Sequence, residues 1–139
     1  MNKHMKLNAL FAEKVLGWHV SYYEKDNVWF WYPKTTREWC HFPKGEQFTS
    51  SLDAVWIGVR KLAEEGWCCR ELKADYNYVY NVIFRNEDTH DNPIHAQSEI
   101  HPAYALVKAC LLAVGVTQKE INDAEHYDRL IIVKEKQNG

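Results

Sequence analysis

The stretch Pro102-Ala-Tyr-Ala-Leu-Val-Lys-Ala-Cys-Leu-Leu-Ala-Val-Gly115 decides how this chain has to fold. It opens on a proline, whose missing N–H costs nothing in a first helical turn. It closes on a glycine suited to a left-handed helix stop. Between Ala103 and Val114 the only charged residue is Lys108. A helix apolar nearly all round must be covered on more than one side, so the rest of the chain has to wrap it.

Two further helices precede it. Leu7, Leu10, Phe11 and Val15 form one stripe over residues 5–16, ended by Gly17. Ser50 caps a second helix, with Asp53 in its first turn, and Leu52, Val55, Trp56, Val59, Leu62 and Ala63 recur at helical spacing up to Gly66. The spacing predicts a core of Leu10, Phe11, Val55, Trp56, Val59, Leu62, Leu106 and Cys110. Thr117 and Glu120 form a capping box for a short fourth helix through about Glu125.

Strand patterns fill the intervals. Residues 18–23 and 28–32 flank the polar turn Glu24–Asn27, and residues 67–73 and 78–85 flank Asp75-Tyr76-Asn77. A short extended piece is expected over 37–42 between Pro33 and Pro43, a long polar loop over 86–99, and a last strand near 130–133. Val28, Phe30 and Tyr32 point to one side of their strand, Trp29 and Trp31 to the other. With both strand faces apolar, the expected fold is α+β: an antiparallel sheet with helices packed on both faces.

Composition restricts function without assigning it. At 139 residues the chain is expected to be one domain, its core at about 5–116 and a C-terminal extension at 117–139. A net charge of -2 removes the main electrostatic drive for nucleic-acid binding. No signal peptide or membrane span is legible, and Cys40, Cys68, Cys69 and Cys110 lack a disulfide framework, which together predict a cytoplasmic, thiol-reduced protein. The excess is aromatic: six Trp, eight Tyr and five Phe, enough to supply stacking faces as well as a core.

Three segments carry a family resemblance. LNALFAEKVLGW (7–18), FTSSLDAVWIGVRKLAEEGW (48–67) and HPAYALVKACLLAVGV (101–116) resemble the phage ABA-sandwich domain, a family of small bacteriophage and Firmicute prophage proteins. The likeness spans about residues 5–116. Residues 26–45 are richer in aromatics than the family pattern, and the tail after Gly115 departs from it. The resemblance implies a helix–sheet–helix sandwich and a life in an infected bacterial cytoplasm. It also implies, by analogy, a counter-defence role in which a small nucleotide-derived signal is bound and sequestered without turnover. Inhibition of a host defence protein by direct contact, and a small nucleotide-processing enzyme, are the alternatives.

No catalytic fingerprint is present: neither a Walker loop nor a nucleophile elbow appears. Asp88, His90, Asp91, His95, Glu99 and His101 gather metal-ligand types in one loop but match no established spacing, and Cys40-His41 with Cys68-Cys69 lacks a Cys-x-x-Cys pair. No metal or cofactor is therefore expected. The ligand site is predicted where aromatic strand residues meet the entry of the middle helix. Trp29, Trp31 and Trp39 would stack a base, Ser50 and Ser51 would present backbone N–H groups to a phosphate, and Arg37 would neutralise it with help from Lys34. Self-association is expected because the helix at 103–114 has more apolar surface than one sheet face needs.

Overall fold

A computed structural model of the protein describes residues 6–25, 28–34 and 47–138, the last four of these as backbone only. The elements are α1 (Lys6–Lys14), β1 (His19–Tyr23), β2 (Val28–Tyr32), a 3₁₀ turn (Phe48–Ser50), α2 (Leu52–Ala63), β3 (Trp67–Ala74), β4 (Tyr80–Asn86), β5 (Ile94–Ser98), α3 (Pro102–Ala113) and α4 (Gln118–Asn138). The fold is α+β with antiparallel strands and helices packed against them, as the sequence predicts.

The strands form two sheets rather than one. β1 and β2 make a hairpin, and β3, β4 and β5 make a three-stranded sheet in that order. β5 lies inside the stretch expected to be loop, where the alternation of Ile94, Ala96 and Ser98 against His95 and Gln97 is short and half polar. Val82, Phe84, Ala96 and Ser98 are buried on the face that receives α3. The opposite face carries Asn81, Ile83, His95 and Gln97, with Gln97 donating to Asn81 at 2.7 Å.

Helix α3 is the centre of the molecule. It touches all three strands of the larger sheet, both α1 and α2, and the 3₁₀ turn. Ala103 through Val107 and Ala109 through Leu111 are all buried. The apolar surplus that suggested self-association is thus covered within the chain. His101 caps this helix, its Nδ1 accepting the Ala103 N–H at 3.0 Å.

Phe48 joins the hairpin to the helices. Its ring lies 4.6 Å from Phe11, 5.7 Å from Trp18 and 6.0 Å from Trp31. Beside it, buried Asn8 accepts the Thr49 N–H at 3.0 Å and donates to Thr49 Oγ1 at 3.1 Å and to Gln47 Oε1 at 3.2 Å. These bonds satisfy a polar side chain inside the core, where an unpaired amide would be costly.

The core reading needs correction at Trp56, while Leu10 is half-buried at the edge of the core. Trp56 is 42% exposed, and Leu52 beside it is 41% exposed. The buried stripe of α2 runs through Ala54, Val55, Gly58, Val59 and Leu62. It is centred on small residues that a search for large apolar side chains underweights, which moves Trp56 to the flank. Gly58 is small because Phe11 lies against it: a Cβ there would come within 2.4 Å of Phe11 Cζ and 3.0 Å of Val15 Cγ1. Alanine normally favours a helix interior by about 1 kcal/mol over glycine. Here Gly58→Ala is expected to destabilise, because Phe11 is fully buried and overpacking costs about 1–3 kcal/mol. A raised midpoint in denaturant unfolding would contradict this contact.

The C-terminal reading is also corrected. Residues 130–133 are helical, and α4 continues through Asn138 instead of stopping near Glu125. The capping box is as expected, with Thr117 Oγ1 accepting Glu120 N–H at 3.2 Å and Glu120 accepting Thr117 N–H at 3.3 Å. Ile121, Ala124 and Asp128 form the buried side of α4, so the apolar residues beyond them extend a helix rather than start a strand. Asp128 accepts two first-turn amides of α1, Lys6 N–H at 2.7 Å and Leu7 N–H at 3.2 Å, and so caps one helix from the side of another.

Candidate functional site

The expected stacking platform is not assembled among the described residues. Trp31 is fully buried, paired with Val20 across the hairpin, so its face is closed to a ligand. Trp29 is half-buried, stacked on Tyr22 with ring centroids 4.6 Å apart, and lines a cleft of only about 160 Å³ against α1. Arg37 and Trp39 lie outside the described residues. Ser51, not Ser50, is the cap of α2: its hydroxyl accepts Ala54 N–H at 3.2 Å and is thereby occupied. Ser50 ends the 3₁₀ turn and is exposed. β2 does meet the entry of the middle helix, through Trp31 and Phe48, but that junction is core.

The basic residues divide in the same way. Arg70 is paired with Glu87 across the sheet edge, beside the register shift between Cys69 and Glu71. Lys34 and Arg60 are exposed and form no ion pair among the described residues. In the loop Asn86 Oδ1 accepts the Asp88 and Thr89 N–H groups, and Asp91 accepts the Thr89 hydroxyl at 2.9 Å. Among the described residues no three His, Cys, Asp or Glu side chains come together as metal ligands. Burial pushes the thiols of Cys69 and Cys110 above their ordinary range, the setting of unreactive cysteines.

A different concavity has the makings of a site. Where β5 runs into α3, and α4 passes beside them, a cleft of about 390 Å³ is lined by Val79, Gln97, Ser98, Glu99, Ile100, Tyr104, Lys108 and Glu125. Ligand clefts begin at about this size. Tyr104, 6% exposed, donates its hydroxyl to Glu125 Oε2 at 2.8 Å. Burial and that hydrogen bond raise its pKa far above the ordinary phenol value, so it stays a donor and fixes the Glu125 carboxylate. The Lys108 ammonium lies 5.8 Å from the centre of the same ring, which holds it by a cation–π contact. Neither Glu99 nor Lys108 enters an ion pair among the described residues, and only one oxygen of Glu125 is engaged. The Ser98 hydroxyl accepts Ile100 N–H at 3.0 Å and shapes the turn at the cleft wall.

The β3–β4 turn supplies the far wall through Val79. Asp75 organises it, accepting Asn77 N–H at 2.8 Å and Val79 N–H at 3.2 Å. Those amides, Val79 foremost, hold the Asp75 carboxyl below its ordinary range. The same turn carries Tyr76 and Tyr78, 91% and 83% exposed, with Tyr78 at φ 63. A bulky residue in the left-handed region persists only when its surroundings impose it, and the Asp75 bonds do so.

The sequence missed this cleft because its parts come from four elements and no motif joins them. The legible signal was the single charge in an apolar helix, Lys108. No described helix is long and apolar enough to cross a membrane. No protein-family model matches the chain, and no curated protein or solved structure matches it.

Proposed function

We propose that this protein is a non-enzymatic binder that sequesters a small nucleotide-type ligand in the cleft between β5, α3 and α4. The observation that carries the reading is a ligand-sized concavity in which Tyr104 holds Lys108 and Glu125 in place, neither of them in an ion pair among the described residues. Buried or half-buried charges ordinarily find partners within the chain. Lys108 and the free oxygen of Glu125, both half-buried, leave theirs to come from a ligand, and the exposed Glu99 carboxylate lines the same cleft. Hydroxyl and amine donors of a nucleoside suit the carboxylates, and the exposed tyrosines of the adjoining turn provide flat faces for a base. Binding rather than turnover is favoured because Tyr104 is a locked donor and the Ser98 hydroxyl serves the backbone. The resemblance to phage ABA-sandwich proteins adds the proposed setting, an infected bacterial cytoplasm in which such a signal is withdrawn from host defence.

Isothermal titration with ribonucleosides and ribonucleotides tests the reading. Stoichiometric binding that falls at least tenfold in Glu125→Gln, with unchanged ligand on recovery, is the expected result. Binding unaffected by Glu125→Gln places the site elsewhere, and recovery of a cleaved product makes the protein an enzyme.

A second reading is favoured by Leu52 and Trp56, adjacent turns of one helix face and both over two-fifths exposed. Exposed tryptophan is a common anchor for protein partners. Inhibition of a host protein through this face predicts that Trp56→Ser loses the partner while ligand titration is unaltered. Leu130, Ile132 and Val133, exposed along the outer half of α4, keep self-association a proposal, which sedimentation of wild type against a Leu130→Lys, Val133→Lys variant decides.

A further inference from the structure

We infer that the cleft selects a nucleotide bearing a single phosphate, with the phosphate at Lys108 and the donor groups of sugar or base at Glu125 and Glu99. The inference rests on the cleft reading above and adds to it the charge class and the orientation of the ligand. Three charged side chains with no ion pair among the described residues line this cavity: two carboxylates and one ammonium. The ammonium is held over the Tyr104 ring, and Tyr104 in turn holds Glu125, so the positive and negative ends are carried by one rigid unit on α3 and α4.

A ligand that satisfies all three needs hydrogen-bond donors at one end and an anion at the other. A nucleoside monophosphate has both. Its ribose diol and exocyclic amine donate to carboxylates, as an acidic side chain receives ribose hydroxyls in other nucleotide sites. Its phosphate takes a charge-assisted bond from the ammonium. A triphosphate brings more negative charge than one lysine can offset, into a cavity that already contains Glu99 and Glu125, and like charges at this range oppose binding. A bare nucleoside leaves Lys108 without its partner. Among the described residues no second cation lines the cleft, and Arg129 of α4 acts on Tyr104 electrostatically from outside the lining.

The test is titration of the four ribonucleosides, their 5′-monophosphates and their 5′-triphosphates into wild type, Lys108→Gln and Glu125→Gln, each checked for folding by thermal melting. At least one monophosphate is expected to bind about ten times more tightly than its nucleoside and its triphosphate, a ratio that one charge-assisted hydrogen bond supplies. In Lys108→Gln that advantage over the nucleoside disappears. In Glu125→Gln nucleoside and monophosphate weaken together. A triphosphate that binds as tightly as the monophosphate, or a phosphate preference that survives Lys108→Gln, overturns the inference while the cleft stands as a nucleotide site. Absence of binding by every compound overturns the cleft reading itself, and the inference with it.

Discussion

Trp31→Ala is expected to lower the free energy of unfolding by about 3–5 kcal/mol, the ordinary cost of emptying a large aromatic site in a core. Trp31 is fully buried and shares Phe48 with Phe11 and Trp18, so the hole opens where the hairpin is fastened to the helices. Its indole N–H has no acceptor among the described residues, a standing penalty in the native state. Trp31→Phe should therefore lose under about 1.5 kcal/mol, because lost volume is offset by removal of a buried unpaired donor. Trp56→Ala, on a flank of α2, is expected to cost about 1 kcal/mol or less. Urea denaturation of the three variants checks the ranking. A larger loss for Trp56 than for Trp31 would reverse the assignment of core and surface.

The second large effect concerns acidity. Asp128 is 4% exposed, and burial outweighs its two amide bonds and the Lys6 ammonium; with Glu125 adding repulsion, its pKa is pushed up to about 6. In the unfolded chain the carboxyl returns to about 3.8. The native state therefore binds this proton more tightly than the unfolded state. The resulting stabilisation is complete below about pH 4 and is lost as pH rises through about 6. Two pKa units correspond to about 3 kcal/mol. Asp128→Asn keeps a neutral acceptor for α1 and removes the titration. Stability of wild type minus that of Asp128→Asn should accordingly fall by about 2 kcal/mol between pH 4 and pH 6.5. Taking the difference removes opposing groups such as Asp75, whose pKa is lowered. A difference that is flat, or that rises with pH, would show that the two amides outweigh burial.

What the sequence made legible follows from what periodicity can carry. Helix α3 announced its own burial, and Thr117, Pro102, Gly66 and Gly115 marked ends that the structure confirms. The error at Trp56 has a geometric source: the face of α2 is decided by where Gly58 allows Phe11 to approach, and small residues add nothing to a hydrophobic stripe. The residues 130–133 read as strand because four branched or apolar side chains in a row satisfy either period. β5 was hidden by its polar half. As for the site, Trp31 was correctly placed beside the entry of α2 and wrongly supposed to be open, since pattern gives proximity and not accessibility. The Tyr104–Glu125 and Asp128–α1 bonds join segments 21 and about 122 residues apart, and no local signal encodes such pairings.

The position of α3 late in the chain has a kinetic consequence. During synthesis α1, the hairpin, α2 and all of the larger sheet are made before the element they pack against exists. Until residues 102–113 emerge, Phe84, Val82, Ala54 and Phe11 have no common partner, and until Asp128 follows, the opening amides of α1 have no acceptor. Folding is then committed only once residues 102–113 have been translated. It proceeds through contacts distant in sequence, the class that closes slowly and leaves apolar strands exposed in the interval. The ribosome must release α3 before these elements can share one core.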